Sequence, residues 1–153
     1  MTWFRRDQRI PSPPPPETSP EQEAVALRAK LHTCYGHVNG GAGRLPAESV
    51  LAALSVCDLL AQAVDAVAGQ PVDVGTTISI ERILDDYLPT TLRTCLSAGT
   101  GDRAAADALR EQLRSLADAA TNILATTRQR DSDAMRTQGA FLQTKFSRSD
   151  LDL

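Results

Sequence analysis

Residues 45–88 carry Glu48, Asp58, Asp65, Asp73, Glu81, Asp85 and Asp86 against a single Arg82, a local balance of −6. Hard divalent cations take oxygen ligands, and Asp58 and Asp65, seven positions apart, fall on one face of a helix, while Asp85 and Asp86 sit just ahead of a proline. Such a set would suit a metal-dependent enzyme or a phosphate-ester hydrolase. Carboxylate metal centres in helical bundles usually add a Glu-x-x-His pair, which is absent here, so the stretch reads first as a solvated acidic surface. A second ligand-rich string runs from His32 to His37, in which Cys34 and His37 share a helix face. A zinc site needs about four ligands, and Cys57 and Cys95 would have to supply the rest. All three cysteines fall on apolar faces, where a free thiol behaves as a small core residue. Nucleophilic catalysis finds no Gly-x-Ser-x-Gly elbow, and the glycines at 40–43 follow a helix without the Lys and Ser/Thr of a phosphate loop. No catalytic, metal-binding or cofactor-binding residue is assigned on these grounds, and no cofactor is expected.

The chain that must position any such groups has 153 residues, of which 42% are hydrophobic and 23% charged. Three Phe, two Tyr and one Trp leave a single domain with a mainly aliphatic core, which favours helices packed through Leu, Val and Ala. A net charge of −3 argues against a surface built to neutralise phosphate backbone, so no nucleic-acid partner is expected. Three widely spaced cysteines and the lack of a hydrophobic leader point to a cytoplasmic protein. No run approaches about 18 uninterrupted apolar residues, since the richest stretch, near Ala61–Ala68, is broken by Gln62 and Asp65. No transmembrane segment is therefore expected.

Six of nine prolines lie between Pro11 and Pro20, so residues 1–20 read as a disordered Pro-rich tail, tipped by Trp3, Phe4, Arg5 and Arg6. That tip offers a weak peripheral membrane contact. A helical bundle domain then spans 21–147, followed by a flexible C-terminus at 148–153. Ala24, Leu27, Leu31, Tyr35 and Val38 mark one helix face, closed by the glycines near 40. A second helix opens at Pro46 and carries Val50, Leu54, Cys57, Ala61 and Val64. A third starts from Ser79 as N-cap, flanked by Ile78 and Ile83 as a hydrophobic staple, and is kinked or restarted at Pro89. Ahead of it, Val72, Val74, Ile78 and Ile80 alternate well enough for a brief strand pairing. Asp102 caps a final helix of about 103–146, some 66 Å long if unbroken, with Leu109, Leu113, Leu116, Ala120, Ile123 and Thr127 as a heptad-like seam. The seam weakens over Arg128–Asp133, where a hinge or polar layer is expected, and recovers at Met135, Phe141, Leu142 and Phe146. The fold class is all-α, a four-helix bundle-like domain with a long coiled-coil-like C-terminal helix.

The string Asp86, Tyr87, Leu88, Pro89, Thr90, Thr91, Leu92, followed by a long helix ending in Phe141, Leu142, Lys145 and Phe146, resembles the XpaC-like family, named for 5-bromo-4-chloroindolyl phosphate hydrolysis. The resemblance covers roughly residues 80–147. It implies a bacterial protein and a connection to toxic-anion and stress resistance. Family members typically have membrane-spanning segments, from which this chain departs, and the family supplies no catalytic residue to carry over. Physically, the motif reads as a proline-broken helix whose Thr90 and Thr91 hydroxyls cap the freed backbone groups.

These readings converge on a bacterial helical protein that is no enzyme. It would act as an interaction or adaptor module, binding a protein partner or itself through its long last helix. The interaction candidates are Tyr87–Leu92 together with Met135, Phe141, Leu142 and Phe146. The alternative is a phosphate-ester hydrolase or metal-dependent enzyme using the acidic stretch at 45–88.

Overall fold

The computed structural model describes residues 18–68, 70 and 73–149; residues 1–17 of the expected 1–20 tail, with its Trp3–Arg6 tip, and the last residues from 150 lie outside them, while Ser19 and Pro20 belong to the start of the first helix and not to a tail. Helix α1 spans Pro20–Gly41, α2 Ala47–Val67, α3 Val74–Arg82, α4 Leu88–Ala98 and α5 Arg103–Ser149. Between α3 and α4 the chain makes a π-helical turn, Ile83–Tyr87, without leaving the right-handed helical region, so the three pieces form one rod. Four rods result, and the fold is the all-α bundle that the periodicities predict. No strand occurs among the described residues; Val74, Ile78 and Ile80 all lie in α3.

Local chemistry sets the rod ends. Ser19 accepts from the backbone of Gln22, and the Gln22 side chain returns the bond to Ser19, a capping box that starts α1. Asp102 accepts from the backbone N–H of Ala105 at 3.0 Å and caps α5. Gly99 and Gly101, with φ of 90° and 105°, supply the left-handed backbone that turns α4 into α5. The third rod starts earlier than its sequence suggests. Asp73, not Ser79, is the N-cap, accepting from the backbone and hydroxyl of Thr76, each at 3.2 Å. Ser79 sits inside α3 and donates its hydroxyl to the Gly75 carbonyl, and Ile78 is exposed. An ionised carboxylate at 73 attracts the first-turn N–H groups more strongly than a hydroxyl six residues later.

Pro89 lies in the first turn of α4, as the expected restart requires, directly after the π turn. In an α-helix its ring would press on the Asp85 carbonyl and leave that oxygen without a donor. The π turn immediately before it, closed by the Leu88 N–H bonding to the Ile83 carbonyl, widens the helix there and relieves the crowding. The extra residue also rotates the faces. Ile80, Ile83, Leu84, Leu88 and Leu92 are buried, whereas Tyr87, which simple α periodicity places on the inner face, is turned outward and exposed.

The packing partners fix the bundle's topology. Cys34 meets Cys57 and Arg28 meets Asp65, so α1 and α2 run antiparallel; Glu48 meets Arg110 and Gln62 meets Arg128, so α2 and α5 run parallel. Lys30 pairs with Glu81 and Asp85, placing the third rod beside α1, and α4 closes the ring against α5. Leu27, Leu31, Val38, Val56, Leu60, Val64, Leu88, Leu109 and Leu113 form the common core. Helix α2 bears on the expectation of no transmembrane segment. Its mean hydropathy of 1.8 over 18 residues makes it long and apolar enough to cross a membrane, despite Gln62 and Asp65. In the bundle it lies between α1 and α5, with Ala53, Val56, Cys57, Leu60, Ala63 and Val64 wholly covered.

Helix α5 is 47 residues and so about 70 Å long. Leu109, Leu113, Ala120, Leu124 and Thr127 enter the core, with Leu116 and Ile123 half-buried; Leu124 takes the inner position that simple spacing gives to Ile123. Every residue from 133 to 147 is exposed. The distal helix therefore projects, and the helix stays unbroken across Arg128–Asp133, where a hinge or polar layer is expected.

Candidate functional site

The candidate residues separate into two places. The first is the projecting part of α5. Met135, Phe141, Leu142 and Phe146 are 69%, 63%, 42% and 67% exposed, and no other described element covers them. At about 100° per residue, Met135, Leu142 and Phe146 continue the side of the helix that carries Leu124 into the core, and Phe141 flanks it. A core-type stripe thus runs past the end of its own bundle. Large apolar side chains grouped on an exposed helix face mark a binding surface more often than isolated ones do.

The polar residues expected to form a hinge hold the base of this projection. Arg128 donates to the Gln62 side chain at 3.0 Å, Arg130 pairs with Asp73 at 3.2 Å, and the Gln70 amide donates to Asp131 at 2.7 Å. Together they tie α5 to the end of α2 and the start of α3. Arg130 holds the Asp73 carboxyl below the usual aspartate value, helped by the Thr76 N–H. A cleft of about 310 Å³ opens at this collar, lined by Val67, Gln70, Asp73, Thr127, Arg130 and Asp131. Asp73 and Arg130 are paired with each other, and Asp131 accepts from the Gln70 amide. The cleft has no convergent set of free donors for a ligand.

The second place is the motif at Tyr87–Leu92, which lies on the opposite side of the π turn from α3 and is not brought near the distal stripe. Leu88, Pro89 and Leu92 are buried and belong to the core, so they build the rod instead of presenting a surface. Pro89 and Leu92 also line a shallow groove of about 170 Å³ with His37, Arg93 and Leu96. Thr90 does not cap a freed carbonyl; its hydroxyl donates to the Asp86 carboxylate at 3.3 Å, and Thr91 is half-buried against α5.

The acidic stretch is dispersed over the bundle surface. Asp65 pairs with Arg28 at 2.8 Å, Glu48 with Arg110, Glu81 and Asp85 with Lys30, and Asp58 accepts from the Tyr35 hydroxyl. The Asp85 hydrogen bond, with Glu81 beside it, holds the Lys30 ammonium above the usual lysine value against a smaller effect of burial. Burial, then Asp58, pushes the Tyr35 phenol up, so it remains a donor. Among the described residues no three His, Cys, Asp or Glu side chains converge as a metal centre would require. His32 and His37 face solvent while Cys34 points into the core, which disperses the ligand-rich string.

Sequence reasoning missed the Cys34–Cys57 pairing and the collar, although charge and polarity at 128–133 did single out the latter segment. No protein-family model, no curated protein and no solved structure matches this chain. Its function must be argued from its own surfaces.

Proposed function

We propose that this protein is a helical interaction module that engages a protein partner, or a second copy of itself, through the projecting part of α5. The observation that carries this reading is the exposed apolar stripe of Met135, Phe141, Leu142 and Phe146 on a helix whose base is fastened to the bundle. An amphipathic helix held at one end offers anchors at three- and four-residue spacing to a facing helix or groove, at little ordering cost, because its conformation is already set. Work of this kind needs no catalytic group. A bacterial, cytoplasmic setting and a connection to stress resistance belong to the same proposal and rest on composition and on the XpaC-like resemblance.

Replacing Met135, Phe141, Leu142 and Phe146 together by Ser tests it, because these side chains contribute nothing to the core. Sedimentation equilibrium and affinity capture with the full chain are expected to show self-association or a stoichiometric partner weakened at least tenfold in the variant, with the melting temperature unchanged. A full-length chain that stays monomeric and captures the same proteins with and without the four side chains would sink the reading.

A further inference from the structure

Cys34 on α1 and Cys57 on α2 lie on neighbouring helices inside the core, far from the distal stripe. Their sulfurs are 3.6 Å apart, with the Cys57 S–H donating to Cys34 Sγ, and the residues are 1% and 0% exposed. Both are free thiols. A disulfide requires about 2.05 Å, so each sulfur would move only about 0.8 Å to close one. The register of the two helices is fixed at the pair and to one side of it: level with the sulfurs Tyr35 bonds to Asp58, and about two turns away Arg28 pairs with Asp65. Cys95 makes no bond to either sulfur and is half-buried on α4.

We infer that Cys34 and Cys57 form an oxidisable dithiol, a modification site at which a hydroperoxide-class oxidant converts two thiols into an intramolecular disulfide stapling α1 to α2. The S–H···S hydrogen bond makes Cys34 the easier sulfur to ionise, and Cys57, left facing that charge in a buried site, holds its proton more tightly. The Cys34 thiolate attacks one peroxide oxygen, the O–O bond breaks, and hydroxide leaves to take the proton of Cys57. The Cys57 sulfur then attacks Cys34 sulfenic acid, the S–O bond breaks, and the departing hydroxide recovers the proton first lost from Cys34. Two thiols and one hydrogen peroxide give one disulfide and two waters, with two electrons passing from sulfur to oxygen. Burial makes this slower than oxidation of Cys95, because the oxidant reaches the pair through local opening of α1.

The test uses the full-length folded chain and its Cys95→Ser variant, treated with hydrogen peroxide, then unfolded, alkylated and mapped by mass spectrometry. The expected product is one Cys34–Cys57 cross-link, two hydrogens lighter than the reduced chain, in both proteins. The cross-linked form is expected to melt higher by roughly 10 °C, since it closes a loop between residues 23 apart without straining the native packing. Cys34→Ala and Cys57→Ala are each expected to lose both the cross-link and the shift. Recovery of both thiols unmodified after Cys95 has been consumed would overturn the inference. So would a cross-link that forms only in urea, or one that lowers the melting temperature.

Discussion

The two halves of α5 carry the same kind of stripe and meet opposite fates. Between 109 and 127 the helix has α2 beside it and α4 on its flank, and Leu109, Leu113 and Ala120 lose nearly all contact with water. Between 134 and 147 the stripe continues through Met135, Leu142 and Phe146, yet α2 has ended at Val67 and nothing described faces it. Periodicity specifies that a face wants a partner, but the partner's length decides whether the chain itself provides one. The distal half faces outward because no described element of the bundle reaches far enough to cover it.

The sharpest contrast comes from truncating one apolar side chain in each half. Leu113→Ala is expected to cost about 2–5 kcal/mol, because it opens a cavity between α5 and α2 in a site that cannot collapse. Chemical denaturation measures it, and a loss below about 1 kcal/mol would erase the distinction between the halves. Next in size is the common start of both, the Asp102 cap. Asp102→Ala should cost about 1 kcal/mol by orphaning the Ala105 N–H, read as a lowered midpoint of thermal unfolding. Phe141→Ala in the distal half should change stability by less than about 0.5 kcal/mol, and a larger loss would show that the exposed stripe is covered intramolecularly.

The smallest effect concerns the collar that separates the halves. Asp73 has its carboxyl lowered in the folded state, so the stabilisation it gives through Arg130 is complete above the unfolded aspartate value, about 3.9, and is lost as pH falls through its lower folded value. Acid, and not base, should loosen the base of the projection. Hydrogen exchange at residues 128–133 between pH 6 and pH 3, compared with Asp73→Asn, should show protection falling with pH only in the parent chain. Equal acid sensitivity in both would remove Asp73 from that role.

Much of this architecture could be read from residue order. The three- and four-step spacing of Leu27, Leu31 and Val38, the glycines at the end of α1, Pro46 ahead of α2 and Asp102 ahead of α5 each announce a local preference that the bundle keeps. The third rod was less legible. A hydroxyl at Ser79 and the alternation of Val74, Ile78 and Ile80 outweighed the single carboxylate at Asp73, and nothing local reveals that Pro89 will be accommodated by a wider turn. With that turn in place, Leu84 and Leu88 ahead of Pro89 and Leu92 beyond it all reach the core, although Pro89 cannot donate an N–H. Of the candidate surface, Met135, Phe141, Leu142 and Phe146 were visible as an apolar set, while the burial of Leu88, Pro89 and Leu92 was not.

The sequence by itself determined the helices, most of their ends and the face each would bury, because hydrogen-bond capping and 3.6-residue periodicity act within a few positions along the chain. Only the tertiary structure decided which helices are neighbours, that Cys34 meets Cys57, that carboxylates scattered from Glu48 to Asp85 are taken up by Arg28, Lys30, Arg110 and Arg130, and that α5 outruns its bundle. Those outcomes depend on how rods of unequal length pack side by side, and a contact between distant residues is a property of that packing and of no segment alone.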